Sequence, residues 1–262
     1  MLQTNKLKHA LRNGQTVYGL LNSVPAPLLV EMIGYAGYDF VILDLEHVNA
    51  NPETLENMIR AAECAGLTAL VRMPGMDANA ILRALDSGAQ GIVVPHVQSR
   101  AEAEAAVSAS RYHPLGRRGI SGGRTTGFGR LDLPTYFERA NAELLVAVMI
   151  EDRAGVENID AIVSVPGIDL VLEGAIDLSQ SYGVPGQAQH PDVQAAILAI
   201  ADACRKHNVP FCAMPRLPEQ GEYWRRRGVH AFLLGDDRGV AFRAFKAHLQ
   251  DRKVQSTADM NE

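Results

Sequence analysis

Residues 40–47 read Phe-Val-Ile-Leu-Asp-Leu-Glu-His, an apolar run that stops abruptly at Asp44, Glu46 and His47. Two carboxylates and an imidazole gathered at the end of one segment can move a proton near neutral pH or hold a cation. Comparable endings recur along the chain. Arg72 closes the run 69–72, His96 follows 91–94, and Glu151 with Asp152 follows 144–150. Glu173 and Asp177 follow 168–172, Arg216 follows 210–213, and Asp236 with Asp237 follows 231–234. Arg72 suits bidentate capture of a substrate carboxylate, or else it ties down a neighbouring loop carboxylate. Glu151 and Asp177 suit Mg²⁺ or Mn²⁺, or else they are ends of loop salt bridges. His47 fits proton transfer with an acidic partner such as Asp86 setting its tautomer, against the alternative of a structural histidine. His96 divides between loop packing and catalysis.

Such residues are useful only if one architecture brings them together. An apolar run of this length bounded by polar residues fits a strand buried on both faces of a parallel sheet. With 17–21 the runs make eight strands, and helical patterns alternate with them at 26–36, 52–65, 77–86, 100–110, 155–163, 191–206, 219–227 and 239–249. Eight strand–helix pairs in about 250 residues are the repeat of a (β/α)8 TIM barrel, an α/β fold whose strand C-termini share one mouth. Asn51-Pro52-Glu53 supplies a helix start, and Gly66 and Gly228 sit just past helix ends. The competing doubly wound sheet lacks a GxGxxG after its first strand. Residues 1–253 read as one domain and 254–262 as a frayed polar tail. The irregular segment 113–133 carries Arg117, Arg118, Arg124 and Arg130 among glycines, which suits either an anion grip or a loop anchor.

The chain has 262 residues, is 47% hydrophobic and 21% charged, and carries a formal charge of -5. That balance disfavours nucleic acid and anionic membrane as partners and leaves a small anionic substrate open. Cys64, Cys204 and Cys212 form no CxxC pair, so inert thiols in a reducing cytosol are expected. Residues 1–13 lack the apolar core of a secretion signal, and no long apolar stretch spans a membrane; a cytoplasmic protein is expected.

Assembled in order, these residues resemble the HpcH/HpaI aldolase family over nearly the whole chain. The matching motifs are Asp44-Leu45-Glu46-His47, Arg72, Leu85-Asp86-Ser87-Gly88-Ala89, Val94-Pro95, Arg111-Tyr112-His113-Pro114-Leu115-Gly116, Ile150-Glu151 and Ile176-Asp177-Leu178-Ser179. The resemblance implies that Glu151 and Asp177 bind a divalent metal, that Arg72 holds a pyruvate carboxylate, and that His47 and Asp86 form a proton-transfer dyad. It also implies a homo-hexamer, a trimer of dimers with the last helix exchanged between neighbours.

The departures form a second pattern. Met149 stands where the aldolases usually carry Gln, Glu173-Gly174-Ala175 replaces an apolar residue followed by Gly-Pro, His96 has no counterpart, and residues 235–239 read Gly-Asp-Asp-Arg-Gly. With 20–25, Gly122-Gly123-Arg124, Phe128-Gly129-Arg130 and Ser179-Gln180-Ser181, these features resemble the citrate synthase branch of staphyloferrin-B-type siderophore pathways. That resemblance implies condensation of oxaloacetate with acetyl-CoA as cosubstrate and no required cofactor. Arg72 would keep its 2-oxoacid role, Glu151 would take a proton from the acetyl methyl group, and His47 or His96 would polarise the ketone. Arg124 would face the second carboxylate or the CoA phosphates, with Asp177 and Ser179 also on the substrate. The alternative is a divalent-metal-dependent class II aldolase that uses Mg²⁺ or Mn²⁺ to join or split 4-hydroxy-2-oxoacids and pyruvate.

Overall fold

Alternate residues of each apolar run point to opposite faces, and the two faces enter different cores. Phe40, Ile42, Leu70, Val93, Leu145, Ala147, Met149, Leu170, Leu172 and Leu233 form an inner cluster. Val41, Leu43, Val71, Ile92, Val94, Val146, Val148, Ile150 and Val171 belong to an outer one shared with helices. Two buried faces leave no room for polar alternation, which is why the runs are apolar throughout.

The computed structural model describes residues 2–259, with side-chain surroundings through Lys253. Eight strands, β1 (Val17–Asn22), β2 (Phe40–Asp44), β3 (Thr68–Arg72), β4 (Gly91–Val94), β5 (Leu145–Ile150), β6 (Leu170–Glu173), β7 (Phe211–Ala213) and β8 (Ala231–Asp236), pair in parallel in chain order. β8 returns to β1 and closes the barrel, which excludes the open doubly wound sheet. The (β/α)8 expectation is met. Interior packing is tight enough that Gly19 is required: a Cβ there would lie 2.2 Å from the Phe40 ring.

The helices are α1 (Lys6–Arg12), α2 (Pro27–Tyr35), α3 (Pro52–Cys64), α4 (Ala78–Asp86), α5 (Arg100–Ser110), α6 (Leu133–Glu143), α7 (Arg153–Glu157), α8 (Ile159–Val163), α9 (Ala175–Ser181), α10 (Pro191–Lys206), α11 (Gln220–Arg226) and α12 (Asp237–Asp259). The expected start of α3 is present, with Asn51 accepting from Thr54 N and Pro52 in the first turn. α1 plugs the end of the barrel away from the mouth, where Leu7 joins the inner cluster and Lys8 Nζ meets Asp169 at 2.9 Å.

Several helices differ from the sequence reading. The segment 155–163 is two short helices meeting at Asn158. α6 and α9 were not anticipated, although Asp132 caps α6 at Thr135 N and a proline sits in its first turn. The last helix runs to Asp259, well past residue 249. The segment 113–133 is irregular as expected, apart from one 3-10 turn at Arg124–Thr126. Cys204 and Cys212 are buried, and burial pushes the Cys204 thiol up to about 12 and the Cys212 thiol higher. Among the described residues no helix is long and apolar enough to cross a membrane.

Candidate active site

The alternation that sends Phe40 and Ile42 inward also sends Asp44 inward, one step beyond the last apolar layer. The same parity carries Leu70 to Arg72 and Met149 to Glu151. Asp44 and Arg72 are partners in the β2–β3 register, so their side chains emerge side by side. Arg72 Nε and Nη2 donate to Asp44 Oδ1 and Oδ2 at 2.9 and 2.8 Å, a buried fork. Arg72 Nη1 stands 3.0 Å from Glu46 Oε2, an ion-pair contact without a directed hydrogen bond. Burial of Asp44 favours its neutral form, but the Arg72 fork and the Glu46 and His47 amides hold its carboxyl below the usual range. Arg72 is itself partly desolvated, and Asp44, Glu46 and Glu151 keep it more firmly protonated than a free guanidinium.

Glu151 is 1% exposed. Burial raises its pKa to about 7; the His96 amide and His96 charge oppose the rise, while Glu46 and Asp177 add to it. Gly174 makes this placement possible, since a Cβ there would fall 2.3 Å from Glu151 Oε2. His96 leaves β4 with φ +52, an uncommon backbone conformation for a residue with a side chain. That turn aims its amide at Glu151 Oε1, 2.9 Å away, and sets Nδ1 2.9 Å from Asp152 Oδ2 and Nε2 3.4 Å from Glu46 Oε1. Burial disfavours the imidazolium, but the Asp152 hydrogen bond and the charges of Glu151, Asp152 and Glu46 outweigh it and raise the His96 pKa.

Beside this cluster lies a cavity of about 250 Å³ lined by Arg72, Met149, Gly174, Asp177, Arg216 and Asp236, with Ile42, Val93 and Leu172 at its base. Arg72 and Gly174 connect it to the carboxylates. Glu46, His96 and Glu151 each place a potential ligand atom within 4.8 Å of the others. They fit a divalent cation in two respects: Glu46 Oε2 is buried without a directed hydrogen bond, and burial raises the pKa of Glu151, a rise that a bound cation would oppose. The expected pair was Glu151 with Asp177. Asp177 is outside this group of three; it lines the cavity, and its charge reaches Glu151.

Three other expected site residues or pairs have different partners within the chain. The His47–Asp86 dyad is not made within the chain: Asp86 Oδ1 accepts from Arg118 Nη2 at 2.7 Å, while exposed His47 places Nε2 3.8 Å from Glu46 Oε2. Arg124 does not face the mouth. Its guanidinium forks onto Glu63 and donates to Ser87 O, and those residues end α3 and follow α4, beside the strands' N-terminal ends. Ser179 is fully buried, donating to Ile176 O and accepting from Gly186 N, so it shapes the turn after α9 and is not among the residues lining the cavity. Residues that the sequence left without a role are Asp152, Gly174 and Arg216, and Glu46 had one only as part of the 44–47 group. Their positions at strand ends were visible, but their mutual contacts depend on register and on the turn at His96.

Residues 18–244 match the model of the HpcH/HpaI aldolase/citrate lyase family. A hydroxypyruvate/pyruvate aldolase of Sagittula stellata is 40% identical over 210 residues, covering 80% of this chain and 82% of the relative. A 5-keto-4-deoxy-D-glucarate aldolase of Salmonella paratyphi A is 34% identical over 248 residues, covering 94% and 96%. The crystal structure of citrate synthase SbnG superposes with a TM-score of 0.89 at 43% identity, covering 95% of this chain and 98% of that one. The barrel, the strand-end carboxylates and these relatives together show that the chain belongs to the HpcH/HpaI aldolase/citrate lyase family of carbon–carbon bond enzymes.

Proposed function

We propose that the protein condenses oxaloacetate with acetyl-CoA to give citrate. The observation that carries this reading is His96: a histidine favouring its charged form sits among Glu46, Glu151 and Asp152, where it supplies positive charge from the protein itself. The 43% identity to a citrate synthase and the apolar Met149 on the cavity wall support it. Met149 offers no strong donor or acceptor to a cation's hydration shell.

Arg72 anchors the substrate. Asp44 occupies its Nε/Nη2 edge and Glu46 faces Nη1, so the donors remaining at its Nη1/Nη2 end are available to the carboxylate beside the keto group. Glu151, with a pKa of about 7, is matched to general-base work at neutral pH and removes a proton from the acetyl methyl carbon. The resulting enolate carbon attacks the keto carbon of oxaloacetate, and His96 donates a proton to the oxygen that becomes the tertiary hydroxyl. Water then cleaves the thioester, releasing citrate and CoA. His96 is preferred over His47 for the acid because it alone shares both the Glu46 and the Glu151 carboxylates.

A divalent-metal-dependent aldolase acting on 2-oxoacids is the second reading, favoured by the two aldolase relatives and by the Glu46–His96–Glu151 group. In that case Glu46, Glu151 and the nearby Asp177 would hold Mg²⁺ or Mn²⁺. The cation would supply Lewis-acid stabilisation of a pyruvate enolate. Arg72 would still bind the 2-oxoacid carboxylate. The readings separate when chelator-treated protein is given oxaloacetate and acetyl-CoA: citrate synthesis releases free CoA thiol, whereas the aldolase releases none and cleaves a 4-hydroxy-2-oxoacid only after metal is restored.

The assembly belongs to the same proposal. Phe242, Phe245 and Leu249 are exposed on α12, and Leu28, Met32 and Tyr35 are exposed on α2. Exchange of α12 between copies would cover such faces, in keeping with a hexamer built as a trimer of dimers. A monomeric mass by sedimentation would refute it. A cytoplasmic location with access to acetyl-CoA, and siderophore assembly as the use of the citrate, complete the proposal.

A further inference from the structure

The proposed mechanism uses one guanidinium of the cavity, Arg72, and leaves a second, Arg216, without a task. Both line the same space. Arg216 is oriented by a carboxylate that the barrel buries: Nη1 and Nη2 donate to Glu173 Oε1 and Oε2 at 2.7 and 3.2 Å, and Glu173 is 2% exposed. The Ala175 amide donates to Glu173 Oε2 as well, fixing the acceptor, and Arg216 Nη1 also donates to Met214 O.

A guanidinium takes a carboxylate on either of two edges, Nε/Nη2 or Nη1/Nη2. In Arg216 the Nη1/Nη2 edge is taken by Glu173. Among the described residues the Nε/Nη2 edge meets only the Met214 sulfur, 3.9 Å from Nη2. Arg72 is the converse case, with Asp44 on its Nε/Nη2 edge. Each arginine is therefore held by a buried acid on one edge and has donors left on the other for a ligand, Arg72 sharing its Nη1 with the Glu46 ion pair. Between them the wall is apolar, formed by Ile42, Val93, Met149 and Leu172, so an anionic group finds a donor at each guanidinium and none on that wall. Asp177 and Asp236 also border the space and repel a carboxylate placed elsewhere; Asp236 Oδ1 is turned onto the Gly239 amide at 2.9 Å.

We propose that Arg216 is a specificity-determining residue that selects 2-oxoacids bearing a second carboxylate, receiving that group on its Nε/Nη2 edge while Arg72 holds the carboxylate beside the ketone. This deepens the oxaloacetate reading and rests on it for the reaction, although the selection itself is a binding property. A monocarboxylate such as pyruvate engages Arg72 and leaves the Arg216 edge empty.

The test is calorimetric titration of the full chain, in chelator, with oxaloacetate and separately with pyruvate. Removing Arg216 alone strands Glu173, so Arg216→Lys is compared with the paired change Glu173→Gln/Arg216→Gln, which keeps a neutral hydrogen-bonding pair. Loss of a charge-assisted fork is expected to weaken oxaloacetate binding about 10- to 100-fold in both variants, with pyruvate moving less than about 2-fold. In turnover, KM for oxaloacetate rises with a smaller change in kcat. Equal weakening of both ligands, or unchanged oxaloacetate binding in either variant, overturns the assignment. Binding is read without turnover. Arg216-dependent oxaloacetate binding with no CoA release therefore refutes only the citrate synthase reading, and CoA release with unselective variants refutes only the role of Arg216.

Discussion

Glu151→Gln removes a charge that the native barrel holds at a cost. Burial raises the carboxyl from 4.5 to about 7, and at about 1.4 kcal/mol per unit this withholds about 3 kcal/mol from the folded state once Glu151 is ionised in both states. The sign follows from proton binding. Between pH 4.5 and about 7 the folded protein holds this proton more tightly than the unfolded chain, so wild-type stability falls as pH rises through that window and stays lower above it. Glutamine cannot ionise, yet its oxygen can still accept from the His96 amide. The variant is expected to gain less than about 1 kcal/mol at pH 5 and about 3 kcal/mol at pH 8.5. For a chain of this size that corresponds to a Tm increase of at most about 2–3 °C at the lower pH and about 6–12 °C at the higher. Thermal unfolding followed by circular dichroism at the two pH values reads the difference directly. An equal gain at both, or a loss at pH 8.5, would show that Glu151 is not a desolvated carboxylate. Loss of activity should accompany the gain in stability, because the same group is the proposed base.

Three further variants probe the rest of the site. Gly174→Ala drives a methyl into Glu151 Oε2, and displacing the base should lower kcat about 100-fold or more; unchanged kcat would mean the carboxylate works from another position. Arg72→Ala leaves Asp44 buried without its cation and should cost about 3–5 kcal/mol in urea unfolding at pH 7, with the penalty shrinking in acid as Asp44 protonates; a cost independent of pH would contradict the ion-pair assignment. His96→Gln removes a charge that lowers the Glu151 pKa, so the Glu151 limb of the kcat/KM profile should move to higher pH. A shift to lower pH would place His96 outside the proton-transfer cluster.

Much of the barrel was legible because strands buried on both faces print continuous apolar runs, and each run ended within two residues of a strand's end. Parity along those runs also places Asp44, Arg72 and Glu151 on the inner face. What could not be read was register. The Asp44–Arg72 fork depends on which residues of β2 and β3 stand abreast, and no local signal specifies that. The turn at His96 is equally hidden, because nothing in Val94-Pro95-His96 announces a positive φ. The placement of Arg124 was not legible because an irregular segment of some twenty residues can return to either end of a barrel; within this chain it returns to the closed end and Arg124 meets Glu63. Ser179 was carried to the substrate by its motif, whereas its hydroxyl closes a buried turn.

The proposed reaction makes one new bond, between the acetyl methyl carbon and the keto carbon of oxaloacetate, and that bond can be followed directly. Chelator-treated protein is incubated with oxaloacetate and acetyl-CoA labelled with carbon-13 at the methyl group, and the products are read by NMR. Condensation by Glu151, His96 and Arg72 puts the label in a methylene carbon of citrate, with stoichiometric free CoA. Unlabelled citrate pools and intact acetyl-CoA, together with exchange of pyruvate methyl protons that appears only when Mg²⁺ or Mn²⁺ is added, would contradict it and make the chain a metal-dependent aldolase.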